Sequence, residues 1–526
     1  MSEATIAVEL LLLAIIMAMA SKHFRLPYTT ALVVCGLGVG ITHFIPLKVE
    51  RDLILLVFLP PLLFEGALNM DLELLKEQWF PVALLALVGT TISALVIGFL
   101  LWIIAPGVTA QPVSLLAALF LGTILSATDP VSVLAMFKQY GVEKRLAIIL
   151  EGESVFNDGI AVVLYLVMYD VVQAGGALPG GFDVLGRAAS VAGGGIAIGL
   201  AVGWVTYRIL AHIDDHLLEV MISVVLAWGS YVLAERLHMS GVLATACAGL
   251  IIGNYGRLFS MSPTTRVTLG AFWEVMTFIA NSFVFILIGM QIDRASFARH
   301  WPLMLVVVVL VLASRVVVVF GLIPLTRAAG WSIPRSWTHV LNLGGLRGSI
   351  PIALALGLPA TFPGREMFQT AVFGAVFFSL VAQGLMIKPL LTRLGLVGAD
   401  ARQREFERRM ARAISLKAAL RELLRMGDDG EVSPGLQEKL TQEMELEKEL
   451  LTREIRELQD SHDFLARAQE VRARRRLLAT QRSAIDDTFR KGLISEQVLE
   501  DSRREIDSLA SELEVSARFT GGSNAA

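Results

Sequence analysis

EGESVFNDGIAVVLY, residues 151–165, decides how the chain is to be read. Its first half carries Glu151, Glu153, Ser154, Asn157 and Asp158, and its second half is nearly pure hydrocarbon. Apolar residues continue far enough to cross about 30 Å of lipid, so the carboxylates lie inside a membrane span, where ionisable groups are expensive and mark ion pathways. At about 3.6 residues per turn, Ser154 and Asp158 stack at i and i+4, with Glu151 on the same stripe. Glu153 and Asn157 form a second stripe roughly 100° round. One helix therefore addresses two neighbours.

The rest of the chain agrees with a lipid environment. Of 526 residues, 55% are hydrophobic, and the mean hydropathy of +0.64 is far above that of soluble domains. About half of the charged residues follow Asp400, which separates an apolar transmembrane body, 1–395, from a charged tail, 396–526. The opening MSEATIAVELLLLAIIMAMA has acids but no basic segment before its apolar run, so it reads as a retained first span and not as a cleaved signal. Cys35 and Cys247 sit in glycine-rich apolar segments without a CxxC pattern and read as small packing residues. No basic stripe in the body points to nucleic acid. No metal cluster or nucleotide loop argues for an enzyme or a cofactor, and Ser154 has no histidine near it.

Apolar runs at 4–20, 28–46, 50–70, 79–105, 112–136, 145–170, 184–210, 217–235, 239–253, 268–291, 302–325, 336–358 and 367–392 predict an all-α integral membrane protein of about 13 transmembrane helices. An odd count puts the termini on opposite sides. The polar, unsignalled tail belongs in the cytoplasm, so the N-terminus faces out. Lys22, Arg25, Lys138, Lys144, Arg145, Arg327 and Arg335 then fall inside, whereas Lys48, Arg51, Arg294 and Arg299 fall outside.

Two spans contain breakers at mid-depth. In the fifth, LGTILSATDPVSVLAMF, Pro130 follows Thr128 and Asp129. It removes a backbone donor and disfavours helical geometry in the preceding residue. In the twelfth, NLGGLRGSIPIALAL, Gly344, Gly345, Gly348 and Pro351 surround Arg347. Both helices should unwind. Ordinary proline kinks are the plainer alternative, but the two breaks stand seven spans apart, as in an inverted repeat of six spans about a seventh, and interrupted segments at matching places point to a transporter site.

Asp158 and Ser154 are expected to face a water-filled cavity, with Asp129 and the freed carbonyls of the fifth helix opposite. Such hard oxygen ligands suit one small monovalent cation. Protonating Asp158 removes the charge that holds the metal, so the site takes a sodium ion or a proton but not both. A bare buried anion costs several kcal/mol in hydrocarbon. A carrier that reorients only when Asp158 is neutralised must exchange the two, provided protons compete for it at cellular pH. Arg315, alone in VVVVLVLASRVVVVF, requires a partner and is assigned Glu153 as a structural ion pair. Arg347 reads as a broken-helix stabiliser, satisfying freed carbonyls and the negative end of a half-helix, and Asp129 plays the converse role at half-helix N-termini. Glu65, in FLPPLLFEGALNM, is open to two readings, snorkelling to the interface or a place in the cation cage. Glu274 reads as interfacial, and His339 and Tyr165 as packing or interface groups.

With TDP, GESVFND, LPPLLFEGAL, GGLRGSIP and QGLMIKPL (383–390) in hand, residues 5–395 resemble the monovalent cation:proton antiporter family in its NhaP and NHE-type branch. The resemblance implies that Asp158 binds the ion and carries the proton. It also implies that Ser154, Thr128 through its backbone carbonyl, Asp129 and Glu65 complete the cation site. Asn157, where some members have a second aspartate, resembles the electroneutral type, which exchanges one cation for one proton. Glu153 and Arg315 resemble the family's structural ion pair. The fold implied has inverted repeats, two broken, crossing helices (the fifth and twelfth) and a mobile six-helix core moving against a dimerisation domain in a homodimer. The expectation is a multi-pass sodium/proton antiporter of the cell's inner membrane, in contact with membrane lipid and without a cofactor. A potassium-preferring exchanger on the same site is the near alternative, preference among sodium, potassium and lithium is not legible in these residues, and a cation channel or ion sensor is the alternative from another class. No TVGYG-like filter favours a channel.

The tail reads as a helical cytosolic domain. Ser433-Pro434 starts a helix in which Leu440, Met444, Leu451, Ile455 and Leu458 recur at heptad-like steps. A second amphipathic helix is predicted from Gly492, and RARRRLL (472–478) could touch an acidic leaflet. The plain role is dimerisation or stability; the sharper one is gating in response to pH or a partner. Truncation at about Asp400 separates them, since a pH profile of exchange that is unchanged by the truncation leaves only the plain role.

Overall fold

Every regular element among the described residues is helical. Lipid demands this of a backbone that must satisfy its own N–H and C=O groups. A computed structural model gives the fold for residues 3–24, 28–42, 53–109, 112–173, 181–213, 215–257, 260–291, 294–358, 362, 364–397, 399–429, 431–460 and scattered positions between 474 and 506. Arg25, Lys48, Arg51 and most of 472–478, as well as parts of the segment following Gly492, lie outside the described residues. The chain divides into two compact units, Met1–Val397 and Gly398–Ala526.

Among the described residues of the first unit, seven helices are long and apolar enough to cross a membrane: Trp79–Gly107, Lys144–Val172, Gly186–Leu210, His216–Arg236, Thr264–Met290, Ala295–Ala328 and Arg365–Arg393. Shorter apolar helices occupy Val8–Ser21, Tyr28–Gly40, Ile54–Asn69, Leu115–Ile124 and Gly241–Gly256. Polar side chains start several of them. Ser114 caps the helix from Leu115 through Ala117 N at 3.2 Å, and Asp215 caps that from His216 through Leu217 N at 2.9 Å. Ser262 caps Pro263–Met290 through Thr265 N, with proline at the first helical position where no N–H is needed. Pro60 and Pro61 instead fall inside the helical run Ile54–Asn69, directly after the widened π-type turn Leu53–Phe58.

The two breaker segments interrupt their helices. Leu115–Ile124 stops before the run to Pro130, and Val131–Tyr140 resumes after it. Arg335–Gly344 stops at Gly345, and Ser349–Leu356 resumes after Gly348. The breaks meet: Asp129 N donates to Leu346 O at 2.7 Å.

Apolar side chains such as Val225, Val205 and Leu305 are exposed, which suits a surface facing lipid. With lipid outside, helices gain little from hiding apolar groups and rely on close backbone approach. Helix Trp79–Gly107 meets Leu115–Ile124 in this way. A Cβ on Gly98 would lie 2.6 Å from Leu119 Cα, and one on Gly122 would fall on the Ala94 carbonyl oxygen and lie 2.8 Å from Gly98 N.

The second unit pairs helices Ala399–Asp428 and Pro434–Asp460. Arg412 meets Glu447 at 2.6 Å and Arg409 meets Glu454 at 3.2 Å, so the helices run antiparallel. Leu451 and Ile455 are buried, and Ile455 packs with Met410 and Ala413.

Backbone atoms cannot yield to a side chain at Gly122. Gly122→Leu is expected to lower the stability of the detergent-solubilised protein by about 2 kcal/mol or more, measured as an earlier thermal unfolding midpoint. Substitution at Gly193, which has open space around it, should leave that midpoint in place.

Candidate ion-binding site

Helix Lys144–Gln173 runs past the first break without interruption, and its two stripes engage different partners. From the first stripe, Ser154 Oγ donates to Thr128 O at 2.8 Å. From the second, Asn157 Nδ2 donates to Thr128 Oγ1, while Thr128 N points to Asn157 Oδ1 at 3.4 Å. Thr128 is thus held at its carbonyl, hydroxyl and amide by a single neighbouring helix. Its side-chain contact had no signal in the sequence reading, which gave Thr128 a role through its carbonyl alone. Asn157 spends both ends of its carboxamide on Thr128, so in this arrangement it braces the break.

Asp129 Oδ1 accepts from Val131 N at 3.0 Å, the first free N–H of the half-helix that begins there. A Cβ on Gly348 would collide with the Asp129 carboxylate. The aspartate therefore lies against the start of Ser349–Leu356 as well as that of Val131–Tyr140. Asp158 lies within electrostatic reach of Asp129, and both are half-buried. Thr128, Asp129, Ser154, Asn157 and Asp158 are brought together at the first break. Glu65 comes from elsewhere: it is half-buried on Leu59–Asn69, and Oε1 accepts from Asn69 Nδ2 at 2.6 Å. A Cβ on the adjacent Gly66 would stand 3.9 Å from Val155 Cγ2, so this helix passes the acidic helix next to Ser154.

Glu153 turns away toward Arg315. The guanidinium engages both carboxylate oxygens, Nη1 with Oε1 and Nη2 with Oε2 at 3.0 Å, and both residues are buried. Arg315 also donates from Nη2 to Leu341 O at 2.7 Å and from Nε to the same oxygen at 3.2 Å. A Cβ on Gly345 would lie 2.7 Å from Arg315 Cζ, so the glycine lets the guanidinium cross the second break. One ion pair thereby joins Lys144–Gln173, Arg294–Ala328 and Arg335–Gly344.

Arg347 crosses in the opposite sense. Its Nη1 donates to Ala127 O at 3.0 Å and to Ser126 O at 3.2 Å, carbonyls freed in the first break and not in its own. Its backbone N donates to Ser379 Oγ at 3.0 Å, and that hydroxyl donates to Gln383 Oε1. Ser379 begins a widened π-type turn, Ser379–Gln383, and nothing in the sequence marks it as a partner of Arg347. Nε and Nη2 of Arg347 have no protein partner. Arg347 also lines a small cavity of about 10 Å³ with Ser93, Ser126, Glu153, Asn157 and Arg315, room for about one water. Further out, Lys388 lies 5.7 Å over the Tyr140 ring. Glu274 and His339 are exposed, and Tyr165 is buried against Phe120.

The chain as a whole is similar to known proteins. The family model described as "Sodium/hydrogen exchanger, transmembrane" matches residues 10–393. The chain is 37% identical over 498 residues to the Na(+)/H(+) antiporter NhaG of Bacillus atrophaeus, covering 91% of this chain and 92% of that protein. It is 39% identical over 406 residues to the Na(+)/H(+) antiporter ApNhaP of Aphanothece halophytica, covering 77% and 76%. Among solved structures, the sodium proton antiporter MjNhaP1 from Methanocaldococcus jannaschii matches with a TM-score of 0.61 at 23% identity, covering 75% of this chain and 99% of that one. This last likeness is one of fold.

Removing one member of the Glu153–Arg315 pair strands a charge in the interior. Arg315→Ala is expected to cost about 3–5 kcal/mol, seen as loss of monodisperse protein or a large fall in the unfolding midpoint. The double substitution Glu153→Leu with Arg315→Met should recover most of that loss, and a double variant no more stable than Arg315→Ala would contradict the pairing.

Proposed function

The chain belongs to the sodium/hydrogen exchanger family, and we propose that it is an electroneutral antiporter exchanging one sodium ion for one proton at Asp158. The observation that carries the reading is the convergence of Thr128, Asp129, Ser154, Asn157 and Asp158 at a break in an apolar helix. Asp158, Asp129, Ser154, the Thr128 carbonyl and Glu65 would supply the cation's oxygens. Ser154 already holds its hydroxyl 2.8 Å from that carbonyl. A cation coordinated by both oxygens from one side requires that hydroxyl proton to rotate away. Asn157 is neutral and engaged with Thr128, and Glu153 is engaged with Arg315. Neither is then available to bind a second charge.

Coupling follows from desolvation. With neither guest, Asp158 is an anion that the hydrocarbon-facing core resists carrying across, and either guest removes that resistance. The contact between the two breaks supports a core of inverted repeats crossing at mid-depth, within about thirteen spans. In this reading the N-terminus lies outside and residues 396–526 lie in the cytosol. The protein works as a homodimer in the cell membrane, with the six-helix core moving against a dimerisation domain. The curated relatives named as Na(+)/H(+) antiporters favour sodium as the cation.

The test is exchange by purified protein in proteoliposomes, with sodium, lithium and potassium added in turn to dissipate an imposed pH gradient. Asp158→Asn is expected to abolish the response, and residual sodium-driven proton movement by that variant refutes the mechanism. Clamping the membrane potential should leave the wild-type rate unchanged; a rate that follows the potential rules out one-for-one exchange.

A further inference from the structure

Glu65 differs from the other proposed ligands in its support. Its helix, Leu59–Asn69, ends one turn later, and the residue at that end is the one that holds it. Asn69 Nδ2 donates to Glu65 Oε1 at 2.6 Å. At the other end of the same carboxamide, Asn69 Oδ1 accepts from Arg257 Nη1 at 2.9 Å. Arg257 Nη1 also reaches Leu68 O at 3.3 Å. Arg257 follows the π-type turn Ile252–Gly256 that closes Gly241–Ile251. Within that turn, Asn254 accepts from Leu72 N at 3.0 Å and donates to Met70 O at 3.1 Å. The two segments also touch backbone to backbone, since a Cβ on Gly249 would lie 2.8 Å from Phe64 O and one on Gly253 would strike Leu68 O.

This chemistry suits a carboxamide. Its nitrogen only donates and its oxygen only accepts, so one side chain can join a carboxylate to a guanidinium without their touching. The charge on Arg257 polarises the amide and strengthens its bond to Glu65. Arg257 is within electrostatic reach of Glu65, and without the intervening amide it could pair with that carboxylate directly. An aspartate at 69 would keep the bond from Arg257 but set a second anion against Glu65.

We propose that Asn69, itself fixed by Arg257, is a positioning residue for the transported cation. It immobilises Oε1 of Glu65, leaves Oε2 for the ion and keeps the guanidinium from neutralising a ligand. The proposal rests on the reading of Glu65 as a cation ligand, and the experiment separates the two.

Sodium-dependent exchange is measured in proteoliposomes for Glu65→Gln, Asn69→Ala, Asn69→Asp and the double variant of Glu65→Gln with Asn69→Ala. Each single variant is expected to raise the sodium KM about fivefold or more while holding Vmax within about twofold, and the double variant should match Glu65→Gln. An unchanged KM in Glu65→Gln removes Glu65 from the cage and this inference with it. A raised KM in Glu65→Gln with wild-type values in both Asn69 variants leaves the ligand reading standing and overturns the positioning role. Additive losses in the double variant overturn it too. Because Asn69→Asp retains the attachment to Arg257, it answers where Asn69→Ala does not fold. Failure of Asn69→Asp to fold would assign the residue to stability alone.

Discussion

Backbone that leaves the helix at the depth of hydrocarbon must find partners for its N–H and C=O groups, because no water is there to supply them. The two broken helices meet this demand largely through each other. Asp129 N donates to Leu346 O, and Arg347 donates to the carbonyls of Ser126 and Ala127. The acidic helix takes the next carbonyl through Ser154. A continuous helix on either side would make these groups redundant, and a single break without the other would leave several of them bare. The breaks are therefore stable as a pair, and the pair forces Lys144–Gln173 alongside.

The same contacts explain why ionisable groups sit where they do. Two half-helices that begin at Val131 and Ser349 present N–H groups and partial positive charge, and Asp129 lies against both starts. Arg347 meets carbonyl oxygens of the unwound chain. What reads in the sequence as costly burial of charge is, in the fold, compensation of broken ends, and only part of the acidic set is left over for chemistry. Ser154 and Thr128 show how close structure and site are: the bond that closes the first break in one condition joins two proposed ligands in the other.

Much of this was legible before any fold was known. The breakers TDP and GGLRG announced their interruptions through proline and glycine, whose backbone effects are local and strong. The stripes of the acidic helix followed from helical period, and Arg315 demanded an acid because a lone cation in a span cannot stand alone. The partners of Arg347 and Asn69 were illegible for a different reason. Ser126 and Ala127 contribute backbone oxygens, which every residue has, and Arg257 lies at the end of a helix far along the chain. Ser379 is reached through a widened turn whose sequence, SLVAQ, carries no breaker. Contacts made by peptide groups across long separations leave no residue type to notice.

The charges bear on stoichiometry. Asp129, Asp158, Glu153 and Glu65 are acids of the proposed site and its supports; of the arginines near them, Arg315 binds Glu153, Arg257 reaches Glu65 through Asn69, and Arg347 binds the carbonyl oxygens of Ser126 and Ala127. Glu153 is bound face to face by Arg315, Glu65 is tied to Arg257 through an amide, and Arg347 faces the break that holds Asp129. Under the proposed exchange, a single positive guest, metal or proton, neutralises Asp158. A second aspartate at 157 would set another anion beside Asp158 and would lose the Nδ2 donor that Thr128 Oγ1 now accepts from. On this account the asparagine at 157 serves electroneutrality and architecture at once, because one carboxamide, uncharged and able to donate and accept, does both.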